Sequence, residues 1–180
     1  MTAEVPRFDF LWQYVEHWSS VDPKYTAMRF GDKAVSTKEL NEITDQLAKV
    51  FLSFGVKRGD RIVTILPSRP EYIYTLIAAS KLSTITVPMD VRYKISDLRR
   101  FIFHVEPKVI VAISRVEDNE IAETLKVLRP ELGDIKYIMV EPSDFGTPFE
   151  QILKMKLNLE NELKAAKASQ SPEDDILIIF

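Results

Sequence analysis

The sequence predicts an α/β fold with a mostly parallel sheet flanked by helices, in three layers. From about residue 25 onward, short apolar segments typical of strands alternate with longer segments whose apolar residues recur at helical spacing. Such alternation requires crossover connections, which make neighbouring strands parallel. The length of 180 residues and the composition, 46% hydrophobic and 28% charged, are typical of one globular domain. We therefore expect residues 1–180 to form a single α/β domain.

Residues 10–18 form the first predicted helix, ahead of the alternating region. Its apolar side chains share one helical face: Leu11, Trp12, Val15 and Trp18. We interpret this face as a surface that docks on the core. A membrane-surface helix is the alternative, but the polar face carries Glu16 and His17 and no run of lysines.

A β-hairpin and a long helix are predicted next. Two short extended segments, residues 25–30 and 33–35, flank the turn dipeptide Gly31-Asp32. Ser36 and Glu39 have the spacing of a capping box, which predicts a helix start. Apolar residues then recur at helical spacing until Gly55 ends the helix: Leu40, Ile43, Leu47, Val50, Phe51 and Phe54.

Four further strands are predicted at residues 61–66, 84–87, 109–113 and 135–140. Of the helices between and after them, one begins at Pro70, and another begins at Ser96-Asp97 and ends before Pro107. Apolar positions mark the last two helices: Ile121, Leu125 and Leu128 for one, and Phe149, Ile152 and Leu153 for a short one.

The C-terminal part of the sequence is less regular. Residues 154–170 are rich in Lys, Glu, Asn and Ala with a thin apolar stripe, so we expect a weakly anchored helix or a mobile connection. A polar turn, residues 171–175, leads into the apolar residues 176–180. That apolar run predicts a strand buried on both faces.

The sequence contains no complete catalytic constellation. The five glycines, at positions 31, 55, 59, 133 and 146, form neither GxGxxG nor GxxxxGK(S/T), and no GxSxG elbow occurs. With no cysteine and two distant histidines, His17 and His104, the sequence does not indicate a zinc site, and His104 fits a helix surface. We predict that this chain contributes no catalytic, cofactor-binding or metal-binding residue.

Each of two charged clusters has a purely structural interpretation and a functional one. One is a basic cluster interleaved with aromatic residues: Arg92, Lys94, Arg99 and Arg100, with Tyr93 and Phe101. It could hold phosphate or nucleic acid. Because the chain has a net charge of -3, we favour a solvated helix face. An acidic run could bind a cation, but we favour a solvated turn: Glu173, Asp174 and Asp175.

Composition also limits the environment of the protein. The absence of cysteine excludes disulfides and favours a cytoplasmic protein. No apolar run approaches the ~18 residues that cross a bilayer, so we predict no transmembrane segment. The N-terminal residues lack the layout of a secretory signal.

Three motifs in register resemble those of one enzyme family. They are STKELNEITDQLA (residues 36–48), GVKRGDRIVTILPSRPEYI (55–73) and VPMDVRYKISDLRRFI (87–102). Together they resemble the N-terminal region of the adenylate-forming enzymes, which include acyl-CoA synthetases, nonribosomal peptide adenylation domains and firefly-type luciferases. The resemblance covers residues 8–180. The third motif is more similar to fatty acyl-CoA ligases (long- or medium-chain) than to peptide synthetases.

The resemblance implies a phosphate-binding loop directly after the final strand. In this family, a turn like SPEDD and a strand like ILIIF come immediately before the loop (S/T)SG(S/T)TGxPK. The sequence stops at Phe180, where that loop is expected to begin. The resemblance thus implies an N-terminal portion truncated just before the loop. One departure lies inside the match, since Lys81-Leu82-Ser83 stands where relatives often read KAG.

Three functions are compared as expectations. The favoured one is a fragment, itself inactive, of an ATP-dependent fatty-acid–CoA ligase that forms an acyl-adenylate and then acyl-CoA, with ATP, Mg²⁺ and CoA as cofactors of the whole enzyme. None of these is expected to bind this chain. The second is a non-catalytic α/β module that binds a partner or regulates. The third, an independent flavodoxin-like or Rossmann-type nucleotide-binding domain, is disfavoured by the missing glycine loop.

The expected partners are the remainder of the enzyme, namely a second α/β subdomain and a C-terminal domain. We expect no nucleic acid among them. Because truncation would uncover a face meant to be buried, we expect the chain to self-associate, most simply as a symmetric dimer.

Overall fold

The computed structural model describes residues 6–180. Its strands are β1 Thr26–Phe30, β2 Lys33–Ser36, β3 Arg61–Ile65, β4 Ile85–Pro88, β5 Val109–Ala112, β6 Lys136–Met139 and β7 Thr147–Pro148. Its α-helices are α1 Leu11–Val21, α2 Thr37–Ser53, α3 Pro70–Ser80, α4 Ile95–Val105, α5 Ile121–Leu128, α6 Phe149–Leu153 and α7 Glu160–Ala168. A 3₁₀ turn, Arg129–Glu131, follows α5.

A five-stranded sheet in the order β4-β3-β5-β6-β7 forms the middle layer, and its neighbouring strands pair in parallel. Alternate residues of the inner strands point to opposite faces. In β3, Ile62 packs with α2 and α3 on one face, whereas Val63 packs with α4 and α5 on the other. The predicted three-layer α/β class is therefore confirmed.

The helical layer that contains α2 and α3 holds more helices than the layer on the other face of the sheet. α1 and α7 both pack against α2, so their apolar side chains join the same core as Leu47 and Phe51. The β1–β2 hairpin is antiparallel and forms a separate small sheet next to α2. This thicker side carries the N-terminal helix and the last helix of the chain together.

The predicted start and end of α2 are confirmed. The backbone N–H of Glu39 donates to Oγ of Ser36 at 3.1 Å, which satisfies one free donor of the first turn. Gly55 follows the helix with φ +78°, a conformation that glycine adopts without a steric penalty. The cap predicted for α4 was wrong, because that helix begins at Ile95 and Asp97 accepts the N–H of Lys94 instead.

α1 docks on the core, as predicted, but through one tryptophan. Trp12 is 9% exposed, and its Nε1–H donates to Oε1 of Gln170 at 2.6 Å. Trp18 is 39% exposed. The expectation that both rings share the docking face was wrong for Trp18. Trp12 and Trp18 are six positions apart, about 600° of helical rotation, so only one ring can point directly at the core.

The final apolar segment is joined to the sheet by an isolated bridge at Leu177, and most of its side chains are exposed, although Ile178 packs partly buried against the core. The N–H of Thr86 donates to the carbonyl of Ile176 at 2.9 Å, and the N–H of Ile178 donates to the carbonyl of Thr86 at 3.0 Å. This places the segment beside β4, at the free edge of the sheet. Ile176, Leu177 and Ile179 are 44%, 40% and 74% exposed, so the expected burial on both faces was wrong.

The turn before β4 contains a strained residue. Ser83 has φ +48° and is buried. A left-handed conformation costs an L-residue about 1–2 kcal/mol, so surrounding contacts must hold it. Its carbonyl accepts the N–H of Gly59 at 2.8 Å, which joins this turn to the turn before β3.

Candidate functional site

The carboxyl end of the sheet is the first candidate site, because α/β sheets form their ligand crevice there. β3 and β5 are neighbours in the sheet. After β3 the chain continues to β4, on one side of this pair, and after β5 it continues to β6, on the opposite side. Ligands of such sheets bind outside the carboxyl ends of two strands that diverge in this way. Here that position lies between residues 66–69 and 113–116, the loops after β3 and β5.

Arg69, at the N-cap of α3, is the central charge of this crevice. Its guanidinium donates to Glu71 at 3.2 Å and to Glu141, just after β6, at 2.8 Å. Ser114, after β5, donates its hydroxyl to the carbonyl of Glu141 at 3.4 Å. Burial alone would lower the pKa of Arg69, but Glu71 and then Glu141 raise it. Arg69, whose charge is already neutralised, therefore joins the loop after β3 to the loop after β6, and Ser114 joins the loop after β5 to the same place.

A second polar centre is buried between four helices. The ammonium of Lys81, which is fully buried, donates to Oδ1 of Asp45 at 2.7 Å and to Oδ1 of Asn41 at 2.9 Å. Lys167 of α7 contacts the same Asp45 oxygen at 3.1 Å and pairs with Glu16 of α1. We call these five residues the interhelix cluster. It joins α1, α2, α7 and the residue after α3 by charge-assisted hydrogen bonds.

Burial sets the ionisation of the interhelix cluster. Loss of hydration lowers the pKa of Lys81 to about 8, although Asp45 acts in the opposite direction. The pKa of Asp45 is lowered: burial raises it, and the two lysines, Lys81 first, outweigh that effect. A lysine of lowered pKa is a chemical candidate for a base, but this ammonium is enclosed by its own partners. The cluster holds helices together, with the Lys81 ammonium buried and the Glu16 and Asp45 carboxylates partly exposed.

The charged residues singled out in the sequence do not assemble into a site. Arg92 pairs with Asp90 at 2.5 Å, Arg99 pairs with Glu131 at 2.8 Å, and the Arg100 guanidinium lies 4.6 Å from the ring centre of Phe101. Lys94 contacts Asn119 at 3.5 Å. This basic cluster is thus divided among separate partners, which agrees with the solvated-face interpretation.

The histidines and the acidic turn are also separate from one another. His17 packs on Phe8 and Trp18, whereas His104 lies 6.1 Å from the ring of Phe180. Of the acidic run, Asp174 pairs with Arg58. Within residues 6–180, no group of three or more His, Cys, Asp or Glu side chains is placed to hold a metal ion.

Sequence reasoning missed the interhelix cluster, although one signal was present. Asn41 and Asp45 are four residues apart, so they lie on one face of α2, and both are half-buried beside its apolar stripe. Two half-buried polar residues at that spacing indicate a shared polar partner. Lys81 itself, in the short turn after α3, gave no such signal.

Comparison with known proteins places these features in a family. The profile of the AMP-binding enzyme family matches residues 15–180. The chain belongs to the AMP-binding enzyme family. It is 27% identical over 135 residues to the feruloyl-CoA synthase of an Amycolatopsis species, an alignment that covers 73% of this chain and 27% of that protein.

Solved structures of this family share the fold. The coronafacic acid ligase of Pectobacterium brasiliense superposes with a TM-score of 0.77 at 16% identity, over 95% of this chain and 33% of that one. A Mycobacterium tuberculosis fatty acyl CoA synthetase gives 0.67 at 15% identity, over 95% and 32%. The chain thus spans about a third or less of these relatives. In the described part of this AMP-binding family member, no helix is long and apolar enough to cross a membrane.

Proposed function

We propose that this chain is the N-terminal portion of an ATP-dependent acyl-CoA synthetase, of the fatty-acid–CoA ligase type. The observation that carries the proposal is the family match over residues 15–180, which includes the final strand. The feruloyl-CoA synthase and the fatty acyl CoA synthetase among the similar proteins are named for CoA ligation of different acids. The motif VPMDVRYKISDL resembles fatty acyl-CoA ligases more than peptide synthetases, which supports the choice of the fatty-acid–CoA ligase type.

The whole enzyme would use ATP, Mg²⁺ and CoA, but the residues of this chain do not fit these groups. Within residues 6–180, each of the five glycines lies in a separate turn, with φ between +56° and +79°, so they do not form a glycine-rich phosphate-binding loop. The cation at the sheet crevice, Arg69, is already paired with two carboxylates. We therefore place the chemistry in the remainder of the enzyme.

The 180-residue chain is expected to be inactive in a carboxylate-dependent ATP–pyrophosphate exchange assay. Adenylation needs positioned phosphate-binding and catalytic groups, and none is expected among these residues. The matched control is the longer protein translated from the same reading frame beyond codon 180, which should exchange pyrophosphate with at least one fatty acid. Exchange by the short chain above background, abolished by a substitution within it, would overturn the proposal. If the reading frame beyond codon 180 does not encode the phosphate-binding loop, that result would instead favour a non-catalytic module.

We further propose that the chain acts as one unit with the remainder of the enzyme as its partner, in the cytoplasm. The segment at residues 176–180 lies at the edge of the sheet beside β4, and its Ile179 side chain is 74% exposed. Such an unpaired apolar edge is a template for strand addition.

The isolated chain is therefore expected to form a symmetric dimer at micromolar concentration. Sedimentation velocity should show a concentration-dependent increase in mass, and deletion of residues 176–180 should weaken the association. A chain that stays monomeric with or without these five residues would show that this edge does not drive association.

A further inference from the structure

A cavity of about 510 Å³ lies between α1, the β1–β2 hairpin and the start of α2. This volume is within the range of small-molecule pockets, about 300–1,000 Å³. Tyr14 and Trp18 border it from α1, and Tyr25 borders it from the position before β1, so three aromatic rings contribute to one space. We call this space the α1–hairpin cavity. Among the residues that the structure describes, it shares no lining residue with the sheet crevice or the interhelix cluster.

The walls of the α1–hairpin cavity are held in place by hydrogen bonds of their own. The hydroxyl of Tyr14 accepts the N–H of Phe8 at 3.2 Å and donates to the carbonyl of Phe8 at 3.4 Å. The connection from α1 to β1 is fixed at Asp22, whose carbonyl accepts the Thr37 hydroxyl at 2.5 Å and the N–H of Tyr25 at 3.2 Å. The cavity is therefore formed before a ligand enters, and binding does not have to order this connection.

Asp22 gives the α1–hairpin cavity its charge. Within residues 6–180, it is the one charged residue in the lining, and its carboxylate makes no ion pair or hydrogen bond with another of these residues. Lys24 and Lys38 are its nearest lysines in the sequence, but neither lines the cavity, and the Lys38 ammonium pairs with Glu42 at 3.8 Å. The lining thus contains a carboxylate and no resident cation.

Aromatic faces and a carboxylate both attract a cation. Trp18 and Tyr25 are 39% and 62% exposed, so a ligand can reach both rings from solvent. A cation over the face of tryptophan or tyrosine is attracted by the electron density of the ring, and quaternary ammonium groups are recognised in this way. We propose that the α1–hairpin cavity binds a small organic ammonium ion, with Trp18 and Tyr25 as the ring surfaces and Asp22 as the counter-charge. This inference does not depend on the proposed function.

Ligands of other charge fit this lining less well. An anion would meet the Asp22 carboxylate without a positive side chain in the described lining to offset it. A neutral apolar ligand would gain nothing from that carboxylate. A quaternary ammonium ion needs no hydrogen-bond acceptor, so rings and one carboxylate are sufficient to hold it.

Choline and neohexyl alcohol form a matched pair of probes, because a carbon atom replaces the quaternary nitrogen and only choline is charged. The indole N–H signals of Trp12 and Trp18 in heteronuclear NMR of the isotope-labelled chain report binding. We expect choline to shift the Trp18 signal saturably and to leave the Trp12 signal unchanged, since the Trp12 N–H is bonded to Gln170 and Trp12 is not part of the lining. The Kd of neohexyl alcohol should be at least fivefold higher than that of choline.

Two pairs of variants test the charge and the ring. Asp22→Asn should raise the choline Kd at least fivefold, whereas Asp32→Asn, at an exposed carboxylate of the hairpin turn outside the lining, should bind choline like the parent chain. Tyr25→Leu should raise the choline Kd threefold or more, whereas Tyr25→Phe keeps the ring face and should bind like the parent. Because Tyr25 is 62% exposed, neither change at this position is expected to unfold the chain.

Each of three results with the 180-residue chain would overturn the proposal. They are the absence of a saturable Trp18 shift with choline, equal affinity for choline and neohexyl alcohol, and an unchanged choline Kd in Asp22→Asn. In the first case, co-sedimentation with phosphatidylcholine vesicles that requires Asp22 would assign the cavity to a lipid surface instead of a free ligand. The same titration in the longer protein tests whether the cavity stays open there. Choline binding that the longer protein loses would show that another segment fills the cavity, and would overturn it as a ligand site of the enzyme.

Discussion

Replacing Trp12 by alanine is expected to lower the free energy of unfolding by about 3–5 kcal/mol, the usual cost of removing a buried aromatic side chain. The ring is stacked 6.1 Å from Phe10, and the Lys167 ammonium lies 5.1 Å from its centre. Its Nε1–H is bonded to Gln170, so the substitution also leaves that acceptor unpaired. Urea unfolding followed by circular dichroism measures the loss.

Trp18→Ala is the matched control on the same helix. Because that ring is 39% exposed, the substitution should cost clearly less, about 1 kcal/mol. A larger loss for Trp18 than for Trp12 would show that α1 docks through its other face. If Trp18→Ala leaves stability intact but abolishes binding to anionic liposomes, the membrane-surface interpretation of this helix would gain support.

Lys81→Met is expected to raise the free energy of unfolding by up to about 3 kcal/mol at pH 7, since the pKa of Lys81 is lowered from about 10.4 to about 8 and one pKa unit corresponds to about 1.4 kcal/mol. The pKa of Lys81 is lowered to about 8, so its surroundings disfavour the ammonium despite the ion pair with Asp45. Methionine fills a similar volume without that desolvation cost. Asp45 keeps its contact with Lys167 at 3.1 Å, so the substitution leaves no isolated buried charge.

The gain is expected to shrink as the pH rises. In the parent chain, Lys81 binds a proton less tightly when folded than when unfolded, where its pKa is about 10.4. Between pH 8 and 10 the unfolded state binds more protons, so stability rises with pH in this window. Above pH 10 the raised pKa of Tyr74, about 12, acts oppositely, because unfolded tyrosine then loses its proton first.

Urea unfolding at pH 7 and pH 10 tests this expectation. Lys164→Met, at an exposed position of α7, is the control and should change stability by less than about 0.5 kcal/mol at either pH. If Lys81→Met destabilises the protein at pH 7, the ion pair with Asp45 outweighs the burial of the charge.

The sequence predicts the layered fold well because its signals are local. Helix starts such as Ser36 and Pro70 and the apolar runs of β3 and β5 depend on neighbouring residues alone, and the structure has these elements at the expected places. The family resemblance rests on the same segments and is confirmed by the match over residues 15–180.

The features that escaped prediction depend on contacts between distant residues. Periodicity put Trp12 and Trp18 in one stripe, but the position of α7 decides which ring is covered. The burial of Lys81 results from the meeting of α1, α2 and α7, which no local pattern records. The final segment is as apolar as a buried strand, yet its outer side is exposed. In the part of the chain that the structure describes, no element covers that side.

The pairing of the N-terminal helix with the last helix has a consequence for synthesis of the protein on the ribosome. Trp12 and Gln170 are 158 residues apart, and Glu16 and Lys167 are 151 apart. At about 5–20 residues per second, roughly 8–30 s pass between the emergence of the first helix and that of its last partners. The central βα units and the packing of α1 on α2 can form in this interval, whereas the late partners of Trp12, Lys167 and Gln170, are still missing. Nascent chains of this protein therefore keep one side of the Trp12 ring uncovered until α7 and residue 170 have emerged.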